Sequence, residues 1–171
     1  KKRVCMKLTA LIPLLSFIIN HALTINILTK HKRHYIYYST LLFMTSLSIT
    51  LAIAFLLWSF TTYDMLLFLT KLQVLFWLPL GIYFLNYIYD LIEIKRPKAF
   101  FVVFILTILF SAAAAFTSDL VPGIVVESVV PRPIHSIGFI IGLTLFLVIP
   151  ALYAFYLLFK NISEIKHKTP V

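Results

Sequence analysis

Apolar residues run along this chain in five long stretches, at residues 8–29, 35–60, 64–92, 99–117 and 136–160, each closed by charge, proline or a polar cluster. None alternates with the period of two that a barrel strand needs, and each is long enough as a helix to cross roughly 30 Å of hydrocarbon. Lipid offers no partner to an open backbone N–H or C=O, so such stretches must pair their backbone within themselves. The pattern predicts an all-α fold: a polytopic bundle of five membrane-spanning helices forming one integral membrane domain over residues 1–171. Most links are tight reversals. The exception is an outer loop at 118–135, where the Pro122-Gly123 turn signal precedes the β-branched runs Ile124-Val125-Val126 and Val129-Val130. A short extended segment or small hairpin is expected there.

Composition supports this medium. Hydrophobic residues make up 61% of the chain, charged residues 12%, and the mean hydropathy is +1.00, whereas a soluble domain carries about a quarter charged residues. The net charge of +9 comes from cations clustered beside the apolar stretches, which fits membrane topology and argues against a nucleic-acid partner. With the N-terminus outside, nine cations fall in the cytoplasm: Lys30, Lys32, Arg33, Lys95, Arg96, Lys98, Lys160, Lys166 and Lys168. Five fall outside, namely Lys1, Lys2, Arg3, Lys7 and Arg132, so the excess of Lys and Arg favours N-out, C-in. No small-x-small cleavage site follows the first apolar stretch, at Asn20-His21-Ala22, so it reads as an uncleaved helix. The single cysteine, Cys5, cannot close an internal disulfide.

Polar residues inside the stretches are few. Ser16, Asn20 and Thr24 recur every four residues on the first helix, with His21 beside them. In lipid such a stripe turns inward, either toward a ligand or as hydrogen-bonding glue between helices. The third stretch places Tyr83, Asn86, Tyr87 and Asp90 on one face, with Gln73 extending it and Pro79-Leu80-Gly81 between. A mid-helix proline loosens the backbone, so this is either a kinked, pocket-lining helix or a bent packing helix. Lys71 lies within a stretch, and Asp64, seven residues earlier, is its expected partner. Gly138 and Gly142 form a GxxxG pair, a surface on which another helix can approach closely.

No Asp or Glu stands near mid-membrane, which disfavours ion-coupled transport. His21 is the one intramembrane histidine, whereas a membrane haem is usually held by a facing pair. Asp119, Glu127 and His135 share the outer loop without a metal-ligand spacing. Neither HExxH nor GxSxG occurs. No cofactor, metal or catalysis is expected.

The segments LIPLLSFIINHALTINILTKHKR, STLLFMTSLSITLAIAFLLW, KLQVLFWLPLGIYFLNYIYDL and TSDLVPGIVVESVVPRPIHSIGFIIG appear here in order. In that order the chain resembles the N-terminal seven-transmembrane sensor region found ahead of bacterial and archaeal histidine kinases and some diguanylate cyclases. The resemblance covers most of the chain, but with five stretches against seven and no phosphoacceptor helix or ATP-binding domain. It implies a prokaryotic cytoplasmic-membrane protein, either a fragment or a stand-alone relative, and no kinase activity. The expected function is a non-enzymatic sensor-like module that binds a ligand or partner and passes on a change in helix packing. Asn20, Gln73, Tyr83, Asn86 and Tyr87 would line its interior, and Gly138 and Gly142 would pack helices. The alternative is an accessory structural subunit among other membrane chains.

Overall fold

The computed structural model describes residues 11–30, 34–59, 62–125 and 132–161. Its elements are α1 (Leu11–Lys30), α2 (His34–Ser59), α3 (Tyr63–Trp77), α4 (Leu80–Leu91), α5 (Lys98–Phe116), β1 (Gly123–Val125), β2 (Arg132–Ile134), α6 (Ile137–Leu143), a π-helical turn (Thr144–Val148) and α7 (Ile149–Lys160). Among the described residues four runs are long and apolar enough to cross a membrane: Tyr38–Ser59, Tyr63–Leu91, Lys98–Phe116 and Ile137–Lys160. The Leu11–Asn26 part of α1 is apolar but shorter.

Burial is inverted relative to a protein in water. Phe116, Ile137, Phe159 and Leu152 point outward, while Asn20, Thr24, Ser46, Ser48, Thr50, Thr107 and Ser111 are buried. Hydrocarbon outside and hydrogen-bonding groups inside is the arrangement that a lipid solvent selects. The molecule is a helical protein built for a membrane.

Two of the long runs are interrupted, each at a proline. Pro79 cannot donate to the carbonyl of Leu75, so the helix opens into a turn at residues 78–79 and resumes with Tyr83 N–H bonded to the Pro79 carbonyl at 3.0 Å. In the last run the turn ahead of Pro150 widens, and the Ile149 N–H reaches back five residues to the Thr144 carbonyl. Such π turns are one of the few causes of a break in an otherwise regular helix. The sequence reading anticipates the first break; the second it leaves as continuous helix.

Packing follows chain order in part. α1 lies on α2, α2 on α3 and α4, α4 on α7, and α5 chiefly on α3. After α5, β1 pairs antiparallel with β2, with Gly123 opposite Ile134 and Val125 opposite Arg132. The expected hairpin is present, but its return strand is 132–134. Val129-Val130 and Glu127 lie outside the described residues, as do Lys32, Arg33 and the basic N-terminus. Ser136 then caps α6, its hydroxyl accepting from the Phe139 N–H at 3.2 Å.

Candidate functional site

On α1, the polar stripe points at α2. The Asn20 amide donates to Ser48 Oγ at 2.8 Å and to the Met44 carbonyl at 3.1 Å, and Thr24 Oγ1 donates to the Asn20 carbonyl at 2.7 Å. His21 Nδ1 sits 3.5 Å from the same Ser48 hydroxyl, with its ring stacked on Phe17. Asn20 is therefore interhelical glue, one of the two roles its spacing allows.

The α4 stripe turns out to be organised by an arginine counted above only as a topology charge. Arg96, on the link before α5, donates through Nε to Asn86 Oδ1 at 2.8 Å and pairs through Nη2 with Asp90 Oδ1 at 2.5 Å. Asn86 and Asp90 stand one turn apart, so together they present two acceptors to one planar guanidinium. The helix backbone ends just past them, where Glu93 takes a positive φ of 59° and reverses the chain toward Pro97. A signal was available in the sequence: acceptors at i and i+4, followed within a short proline-closed link by Arg.

The remaining expected lining residues separate. Tyr83 is buried against Phe104, with ring centroids 5.8 Å apart, and Tyr87 stacks on Phe43 at 6.4 Å. Gln73 is half-buried on α3, across the Pro79 break. Asn86 borders a hollow of about 210 Å³ with Leu42, Arg96, Phe101 and Phe104. Lys71 Nζ meets Ser118 Oγ at 3.4 Å, so the loop after α5, and not Asp64, is its neighbour.

The glycines also divide. A methyl group at Gly142 would overlap the Phe110 ring, so this position seats a side chain of α5 and not a neighbouring backbone. Gly138 has Leu120 at ordinary contact distance. The backbone-to-backbone approach lies elsewhere, at Gly81, where any side chain would strike the Leu147 main chain. Gly81 follows the Pro79 break and Leu147 belongs to the π turn, so the two interrupted helices touch at their interruptions.

Beside that junction is a cleft of about 490 Å³ between α4, α5 and the last helix. Its origin can be read from α5. At one end Ser111, Ala114 and Ala115 are buried, and these small side chains bring α5 close against the bundle. At the other end Phe100 stands edge-on to Tyr89 at 5.5 Å and Phe104 meets Tyr83, holding α5 off α4. The splayed space is lined by Leu85, Tyr89, Val103, Phe146, Pro150 and Tyr153, among others. Its wall is almost wholly apolar, with Tyr89 and Tyr153 as its polar side chains. None of Asn20, Gln73, Tyr83, Asn86 or Tyr87 lines it.

Between β2 and α6, His135 stacks on Phe139 with centroids 4.3 Å apart and planes 7° from parallel. Desolvation there lowers its pKa from the ordinary 6.5. Among the described residues no group of three His, Cys, Asp or Glu gathers to hold a metal. Comparison with protein-family models, with curated proteins and with solved structures finds no match to this chain.

Proposed function

We propose that this chain is a non-enzymatic, sensor-like membrane module of five spans, N-terminus outside and C-terminus inside, in which an apolar or amphipathic ligand in the α4/α5/α7 cleft shifts the packing of the last helix. The observation that carries this reading is the composition of the cleft wall. Phe146 and Pro150 belong to the π turn and its proline, and Ile82 follows directly on Gly81. A ligand seated there touches the place where the two interruptions meet each other. Regular helices resist bending because each residue is held by an i to i+4 bond, whereas a π turn and a proline break have already given up such bonds. The cleft volume also falls within the range of about 300–1,000 Å³ usual for small-molecule sites. The setting suggested by the resemblance is a prokaryotic cytoplasmic membrane.

The test uses two spin labels, at Val102→Cys on α5 and Phe159→Cys on α7, in a Cys5→Ser background with the protein in nanodiscs. Both positions are exposed, and neither lines the cleft. Filling the cleft with Val103→Trp should change the distance distribution between the labels. An unchanged distribution would overturn the reading.

A second reading, an accessory structural subunit, draws on where the polar side chains are engaged. Asn20 is held by α2 and Asn86 by Arg96, which suits a bundle that scaffolds neighbours more than one that presents hydrogen bonds to a ligand. Gentle extraction followed by mass measurement of the intact assembly separates the two. A stoichiometric second chain, together with immobile labels, would favour the subunit.

A further inference from the structure

The cleft is a poor match for a water-soluble ligand. It lies between helices whose outer faces carry Phe101, Val102, Ile105 and Leu152, all exposed, and its polar side chains are the tyrosines Tyr89 and Tyr153. What reaches such a cleft comes from the hydrocarbon. One end of the cleft has a second character, because Pro97 and Ala99 line it and they alternate in sequence with Lys95, Arg96 and Lys98.

The charges at that mouth are not equivalent. Arg96 is already engaged by Asp90 and Asn86. Glu93, on the same link, has interactions of its own. Lys95 and Lys98 are exposed and make no ion pair among the described residues. An apolar trough a few residues from two uncommitted ammonium groups matches a molecule with a hydrocarbon tail and an anionic head.

We infer that the cleft binds one anionic phospholipid, its acyl chain lying between α4, α5 and α7 and its phosphate held by Lys95 and Lys98. This deepens the reading of the cleft given above and rests on it. Ammonium groups at the membrane border attract anionic headgroups, with each lysine strengthening binding by about fivefold. Tail and head act together: a chain in the cleft restricts the headgroup to the reach of the lysines, so the second contact forms as an intramolecular event. The Arg96 clamp has a positioning role here, because it fixes the link that carries both lysines.

The experiment extracts the full chain into mild detergent with equal amounts of phosphatidylglycerol and phosphatidylcholine, and counts retained lipids by native mass spectrometry. One phosphatidylglycerol per chain should persist, preferred over phosphatidylcholine by about 25-fold, the combined effect of two lysines at about fivefold each. Lys95→Gln with Lys98→Gln should abolish the preference, and Lys95→Arg with Lys98→Arg should keep it. Val103→Trp, which leaves both lysines in place, should expel the lipid. Equal retention of the two lipids, a preference that survives the Gln pair, or phosphatidylglycerol held as firmly with the cleft filled would each overturn the inference. The label distances described above are read separately. Lipid preference without helix movement refutes the sensor reading and leaves the site, whereas movement without preference does the reverse.

Discussion

Asn20 shows how far one residue can be read from sequence. An amide at the middle of an apolar helix is expected to face inward, and Asn20 does, donating to Ser48 and Met44 of α2, whereas Asn26, nearer the helix end, is exposed. Contacts of this kind in membranes are worth about 0.6 kcal/mol on average and about 1.7 at most, since the unfolded helices also find partners in lipid. A double-mutant cycle of Asn20→Leu with Ser48→Ala, followed by denaturant unfolding in micelles, should therefore give a coupling within that range; zero coupling would mean that the pair is incidental. Gly81 makes a stronger demand. Gly81→Ala must displace the Leu147 backbone, so it should cost about 1–3 kcal/mol, as overpacking of a tight core does, while Gly138→Ala should be near neutral because only a Leu120 methyl lies close. Equal effects at the two glycines would contradict the assigned contacts. His135 offers a test by pH. Its ring is held below the ordinary 6.5 by desolvation, so the fold prefers the neutral form. As pH falls through 6.5 the unfolded chain takes up the proton first, and stability declines from there until the folded-state midpoint is passed. An NMR titration of His135 with a midpoint at or above 6.5 would show that its ring is not desolvated in the folded protein. Hydropathy alone does not supply partnership: the spacing of Asn86, Asp90 and Arg96 hints at the clamp, but the positive-φ reversal at Glu93 that closes it has no marker in the apolar pattern.

At the scale of elements, the helices were legible almost to their ends, because lipid forces every apolar run into one structure. The break at Pro79 was legible too, since proline removes a donor wherever it falls. The π turn was not. Pro150 sits in the same kind of apolar run, yet there the chain widens one turn in place of opening a kink, at the point where Gly81 lies against the Leu147 main chain. Pro150→Ala would return a donor for the Phe146 carbonyl, so the Thr144–Val148 turn should tighten to ordinary α-helix and rotate Tyr153 away from Tyr89. Spin-label distances between Val102→Cys and Phe159→Cys should move accordingly. Unchanged distances would show that the π turn is held by the Leu147 contact alone and not by the proline. The hairpin makes a related point. Pro133 occupies the return strand opposite Ile124, which a two-stranded ribbon permits because each strand has a free edge where no N–H is required.

The whole molecule depends on which border each end of the bundle meets. The Lys95–Lys98 link and the hairpin lie at opposite ends of α5, separated by its 19 residues, or about 28 Å at 1.5 Å per residue. That length fits one crossing of the hydrocarbon, which would put the two on opposite sides. Under the proposed N-out, C-in orientation the link would lie in the cytoplasm and the hairpin outside, and the same orientation decides which leaflet would supply an anionic lipid to the cleft. Single cysteines at Asp119 and at Lys95, in a Cys5→Ser background, put this to the test in intact cells with a membrane-impermeant maleimide. Asp119→Cys should label from outside, and Lys95→Cys only after permeabilisation. The converse pattern would invert every loop and move the proposed headgroup site to the outer leaflet, while leaving the helices, their breaks and the cleft between them unchanged. Sidedness is set by a charge count across the membrane, whereas the splay of α5 is set by small side chains at one end and phenylalanines at the other, so one can fail without the other.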